Sequence, residues 1–237
     1  MSAGGGRARR RQGDAGGAGA GGTEGRRKNR TGSGVGGRGT SDHAGVVGRY
    51  AIEEWARVPV EPDVASEWIY RNPVVDPGTL VIGISQSGES RDTIQAMKLA
   101  RERGARTVAI TNMMGSQITR EVDSVLYTRT GLEVGVAASK TFTAQIALLF
   151  LVGLKLAQCR GTMPKDEQEF IMDELYDLPN KMQRFLDDDH PIEDIAQRYY
   201  NEPFFLYLAG PLGLPDTVGA SRRGRVVCCV VGGSFKT

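Results

Sequence analysis

The residues with the strongest chemical signal are Ser85-Gln86-Ser87-Gly88-Glu89-Ser90. They follow the short apolar run Thr79 to Ile84 and precede a helical pattern that starts at Ser90. A strand that ends in a small, hydroxyl-rich loop and enters a helix is suited to hold an anion. The first N–H groups of a helix have no partner within it, and the helix start carries partial positive charge. Hydroxyls of Ser85, Ser87 and Ser90 can donate to phosphate oxygens, and Gln86 can donate to a phosphate or a sugar hydroxyl. Gly88 lets the backbone come close. One serine at a helix start is explained by capping. Three serines with a glutamine and a glycine in six residues exceed what a cap requires.

Two weaker features obey the same logic. Gly39-Thr40-Ser41 is a small-residue turn before a helical pattern, and two such turns on one parallel sheet can converge on one phosphate. Glu133 to Lys140 (EVGVAASK) is a turn of small residues into a long apolar helix, with Ser139 placed to cap it and Lys140 in its first turn. Taken alone, that segment is equally well explained as a tight strand-to-helix connection. His43 and His190 are far apart and have no partners at ligand spacing, so no metal and no cofactor are expected. Cys228 and Cys229 are adjacent, the wrong spacing for a redox pair. Asp187 to Asp189 reads as a solvated helix end, and Met113 and Met114 read as core.

The elements that must position these residues follow from periodicity. Helices are expected at 43–58, 90–103, 116–122, 138–158, 166–187 and 192–200, and strands at 79–84, 106–111, 124–128 and 204–208. Strands alternating with helices mean an α/β fold, here a three-layer doubly wound parallel sheet of flavodoxin-like type. In that architecture ligands bind beyond the carboxyl ends of the strands.

Composition sets the bounds. The chain has 237 residues and a net charge of +2. Residues 1–38 carry about +7, residues 39–210 about −8 and residues 211–237 about +3. The basic tails lack the aromatic and apolar pattern of a nucleic-acid reader, so nucleic acid is not an expected partner. The Gly/Arg/Ala-rich residues 1–37 and the tail 211–237 are expected to be disordered. Three cysteines make no disulfide framework, and together with the absence of a secretory signal they point to the cytoplasm. The most apolar stretch, Ile146 to Leu154, is half a membrane span and reads as a buried helix, so no membrane is expected.

From about Gly39 to Leu208 the chain resembles the isomerase half of glutamine–fructose-6-phosphate aminotransferase, the glucosamine-6-phosphate synthase family. The matching segments are GTS-HAG at 39–45, ASEW-YR at 65–71, LVIGISQSGES-DT at 80–93, EVGVAASKTFTAQ at 133–145 and YLAG at 207–210. Such segments belong to the sugar isomerase (SIS) domain. The resemblance implies a SIS domain over 38–185, and a linker with the start of a second one over 186–210. It implies fructose 6-phosphate or glucosamine 6-phosphate as ligand, a role in amino-sugar biosynthesis and a cytoplasmic homodimer. It carries phosphate and sugar contacts onto Ser41, Ser85, Gln86, Ser87 and Ser90, and a backbone contact onto Val136. Ala138 stands where many members have a sugar-touching serine.

Full-length members add a glutaminase domain and a second SIS domain that supplies the proton-transfer base. Glu89 and Glu133 are the only loop carboxylates near the site here, and neither is expected to replace that base. The expected activity is therefore sugar-phosphate binding without catalysis by this chain alone, with a stand-alone regulatory phosphosugar-binding module as the alternative. The strand that should precede Gly39 is not recognisable, which predicts exposed neighbouring strand edges. Both tails have the composition of GC-rich DNA read out of frame, so a gene fragment with disrupted frames at both ends is expected.

Overall fold

The computed structural model describes residues 32–36, 39–133, 139–188, 190–202, 205–209 and 226–230. A five-stranded sheet lies at the centre, with every neighbouring pair parallel. Its strands are β1 (Gly32–Gly36), β2 (Val60–Val64), β3 (Leu80–Ser85), β4 (Arg106–Thr111) and β5 (Ser124–Tyr127), in the order β2-β1-β3-β4-β5. This is the flavodoxin-like order, and its switch point lies between β1 and β3.

Helices cover both faces, giving three layers. On one side lie α1 (Thr40–Ala56) and α5 (Lys140–Arg160), enclosing a core with Ile82 and Ile84 of β3 and Ile110 of β4. On the other lie α2 (Ala65–Tyr70), α3 (Arg91–Glu102) and α4 (Ile118–Glu121), around Trp68, Val81, Met97 and Ala109. Alternate residues of β3 thus serve opposite layers, as the pleat demands. Beyond α5 come α6 (Lys165–Asp187) and α7 (Ile192–Tyr199), neither of which buries a residue. A separate parallel pair joins β6 (Phe205–Ala209) to β7 (Val226–Val230).

Three expectations are corrected. The position before Gly39 is filled: β1, within the segment expected to be disordered, is hydrogen-bonded to both β2 and β3. Its sequence, GSGVG, carries no apolar run. A ladder needs only backbone groups, so a glycine-rich segment can serve where two neighbours are already in place. No open edge is left between β2 and β3. Secondly, β7 lies in the other tail expected to be disordered, at its one apolar stretch.

Met113 and Met114 are not core. They lie exposed in the loop after β4. The long apolar helix expected at 138–158 is α5, 21 residues and, by length and composition, apolar enough to cross a membrane. One face of it packs against α1 through Leu149, Leu154 and Ala157. Sequence periodicity also missed β2 and α2. Pro62, Glu61 and Asp63 suit an edge strand, and Arg71 ties both carboxylates at 2.8 and 2.6 Å.

The two helices α1 and α5 come close because glycines lie between them. A Cβ on Gly48 would sit 2.8 Å from the Cβ of Leu149, and one on Gly153 would sit 3.2 Å from Trp55. Gly48→Val therefore has to separate the helices, at a cost of about 1–3 kcal/mol. Thermal or denaturant unfolding is expected to show that loss, and an unchanged midpoint would contradict the close seam.

Candidate functional site

Since β1 and β3 are parallel neighbours, the turn after β1 and the loop after β3 leave the sheet at the same edge. The first leads into α1, whose first turn carries Ser41, and the second carries Ser85 to Ser90. The N-terminal half of α1 is seated on this end of β3, where an added Cβ on Gly45 would touch Ile84 at 3.5 Å.

Within the loop, the serines do not cap α3. Ser90 occupies the N-cap position but makes no capping bond with its side chain. Its Oγ lies 3.1 Å from Ser85 Oγ. Ser85 Oγ accepts the Gly88 N–H at 3.1 Å, and Ser87 Oγ accepts the Glu89 N–H at 3.2 Å. A hydroxyl that already accepts keeps its own hydrogen to donate. Ser85 is buried, Gln86 and Ser87 half-buried, and Ser90 exposed, so the loop runs from the core to solvent.

The loop after β4 braces this one from beside it. Asn112 N donates to Gln86 O at 3.1 Å, Ile118 N to Gly88 O at 3.0 Å, and Gln117 N to the Glu89 carboxylate at 2.8 Å. Gly88 has φ +67°, and a Cβ there would lie 2.1 Å from Ser116 Oγ. Only glycine fits both the backbone and the space. Asn112 also fixes the segment after β5. Its Oδ1 accepts from Thr128 Oγ1, Thr130 N and Thr130 Oγ1 at 2.9, 3.0 and 3.1 Å, and its Nδ2 donates to Gly131 O at 2.7 Å.

The third helix start is already occupied. The Glu133 carboxylate accepts N–H bonds from Ser139, Lys140 and Thr141 at 3.0, 3.2 and 3.2 Å. Ser139, expected to cap α5, makes no capping bond with its side chain. Burial pushes the Glu133 carboxyl up, but the three N–H donors and Lys140 outweigh it and hold the group below its ordinary value. A carboxylate so stabilised is a poor proton acceptor. Glu89 is tied to Gln117 N. Neither expected candidate is poised as a base.

Ser41 lies in the first turn of α1, buried, and accepts from Gln145 Nε2 at 3.2 Å. Sequence reading singled out neither Gln145 nor Asn112. Their signals were slight: a polar residue inside an apolar helix, and an Asn directly after a strand. The contacts expected at Val136 and Ala138 lie outside the described residues. Among the described residues no cluster of ligand-type side chains could hold a metal.

The SIS domain model of protein families matches residues 34–154, beginning inside β1. The chain belongs to the SIS domain family. Over 177 residues, 75% of this chain, it is 50% identical to the glutamine–fructose-6-phosphate aminotransferase (isomerizing) of Mycolicibacterium paratuberculosis. Over 170 residues it is 49% identical to that of Caldanaerobacter subterraneus. In both cases the chain spans 28% of the relative's length. Its structure is similar to the C-terminal domain of glucosamine-fructose-6-phosphate aminotransferase from Francisella tularensis, with a TM-score of 0.79, 26% identity, and coverage of 87% of this chain and 60% of that one. Glucosamine-6-phosphate deaminase from Thermotoga maritima shares the fold alone, at TM-score 0.63 and 16% identity, with coverage of 86% and 62%.

Two predictions follow from the geometry of this SIS domain. Gly88→Ala forces a left-handed alanine against Ser116, a strain of at least about 1–2 kcal/mol. It is expected to lower the unfolding midpoint and disorder the loop, visible as lost amide protection at Gly88 and Ile118. Glu133 has a depressed pKa when folded, so its stabilising effect is full above its ordinary value of 4.5 and fades as pH falls through the lower folded value. Glu133→Gln is thus expected to flatten the loss of stability below pH 4.5, read as the midpoint of unfolding against pH. An acid limb identical to that of the unaltered chain would contradict the capping role.

Proposed function

We propose that this SIS domain binds a phosphorylated hexose, fructose 6-phosphate or glucosamine 6-phosphate, at the carboxyl edge of β1 and β3, as part of a glutamine–fructose-6-phosphate transaminase in amino-sugar biosynthesis. The observation that carries the reading is the loop Ser85 to Ser90. Its serines leave the start of α3 uncapped, and Ser87 and one member of the Ser85–Ser90 pair keep a hydroxyl hydrogen for an external anion. Ser85, Ser87, Ser90 and Ser41 donate to the phosphate with the first N–H groups of α3, and Gln86 donates to phosphate or sugar. Val136 and Ala138 border the sugar. The similarity to aminotransferases of that name over three quarters of the chain supports the choice of ligand.

Binding proceeds without turnover by the residues described. Aldose–ketose isomerisation needs a base near C1 and C2 of the sugar, and Glu89 and Glu133 at this edge are both engaged in backbone bonds. The binding unit is residues 38–185 with β1 added, and residues 186–210 lead toward a second domain of the same kind. The protein works in the cytoplasm as a homodimer. The exposed apolar side chains of α6 and α7, among them Phe170, Phe185 and Ile192, offer surface for that association.

Titration calorimetry of the 237-residue chain with fructose 6-phosphate is the test. Saturable binding is expected, weakened about 10- to 100-fold by Ser87→Ala, which removes a donor to a charged group. No glucose 6-phosphate should form on prolonged incubation. Absence of binding to fructose 6-phosphate and to glucosamine 6-phosphate would sink the reading.

A further inference from the structure

The seam between α1 and α5 holds polar atoms where apolar ones would be more stable. Gln145 is 1% exposed, and Thr141, one turn earlier on the same face, is 0% exposed. Gln145 Oε1 and Thr141 Oγ1 are buried and have no hydrogen-bond partner among the described residues. Unpaired buried acceptors are unfavourable, and a helix seam selected for stability alone would carry Leu or Met. The side-chain bond that Gln145 makes among the described residues gives a reason for its presence: Nε2 donates to Ser41 Oγ at 3.2 Å. An amide nitrogen can only donate. Ser41 is therefore an acceptor in this pair, and its hydroxyl hydrogen must go elsewhere. Ser41 sits in the first turn of α1, at the switch-point edge of the sheet.

We propose that Gln145 is a positioning residue for the bound phosphosugar: by donating to Ser41 it turns the Ser41 hydroxyl hydrogen toward the ligand's phosphate. The inference rests on Ser41 being a phosphate contact, as given above. It also ties α5, whose first turn follows the loop expected to border the sugar, to the phosphate end of the site. Gln145 makes no contact with ligand in this scheme. It acts through Ser41.

The polarity of the bond gives the test. Three variants of the whole chain, Gln145→Met, Gln145→Glu and Ser41→Ala, and the double variant S41A/Q145M, are titrated with fructose 6-phosphate and unfolded thermally. Gln145→Met keeps the volume, removes the donor and abolishes the buried orphan acceptor, so stability is expected to hold or rise while affinity falls roughly fivefold. Gln145→Glu is expected to bind weaker still, since a carboxylate captures the Ser41 hydrogen. In the Ser41→Ala background, Gln145→Met is expected to change affinity no further. A carboxylate variant that binds as well as the unaltered chain, or additive losses in the double variant, would overturn the positioning role and leave phosphosugar binding intact. If the unaltered chain fails to bind fructose 6-phosphate at all, the functional reading itself fails, and this inference with it.

Discussion

Five parallel strands send all their carboxyl-terminal loops to one edge, and everything at the site depends on that. With β1 and β3 adjacent and their helices on opposite faces, the two turns diverge and leave a crevice between them. The loops are then fixed by backbone bonds rather than by their own packing. Asn112 and Ile118 hold Gln86 and Gly88 from the β4 side, and Asn112 holds residues 128–131 as well. A loop braced in this way loses little conformational freedom when a ligand arrives.

The electrostatics follow from the same layout. Residues 39–210 are acidic, and the serine loop itself carries no lysine or arginine. Hydroxyls and helix N–H groups attract phosphate at short range, where geometry discriminates more than net charge does. Of the helix starts at this edge, α5 is neutralised internally by Glu133, whereas α1 and α3 have no side-chain cap.

The seam of α1 and α5 combines two opposing demands. Gly48 and Gly153 bring the backbones close, and Leu149, Leu154 and Ala157 fill the contact. At its N-terminal end the same seam carries Thr141, Gln145 and Ser41, polar and buried. Apolar packing supplies the attachment, and at the polar end Gln145 donates to Ser41. The apolar character of α5, sufficient by composition for a membrane, here serves the layer between α1 and α6.

The serine loop, the strands β3, β4 and β5 and the helix α3 were legible in the residues, because continuous apolar runs and a hydroxyl-rich turn are local signals. β1 was not, since GSGVG has no apolar run and owes its strand state to the backbone groups of two neighbours. β2, with its proline and carboxylates, was hidden for the same reason at the sheet edge. Ser139 had the chemistry of a cap, but Glu133 reached the helix start instead, a competition that only the folded turn decides. The sequence by itself therefore determined the hydroxyl-rich strand-to-helix loop and the α/β architecture, which depend on residue type and spacing along the chain. The tertiary structure alone decided which serine Gln145 would serve, because that bond spans from α5 to α1 and exists only once the two helices are packed.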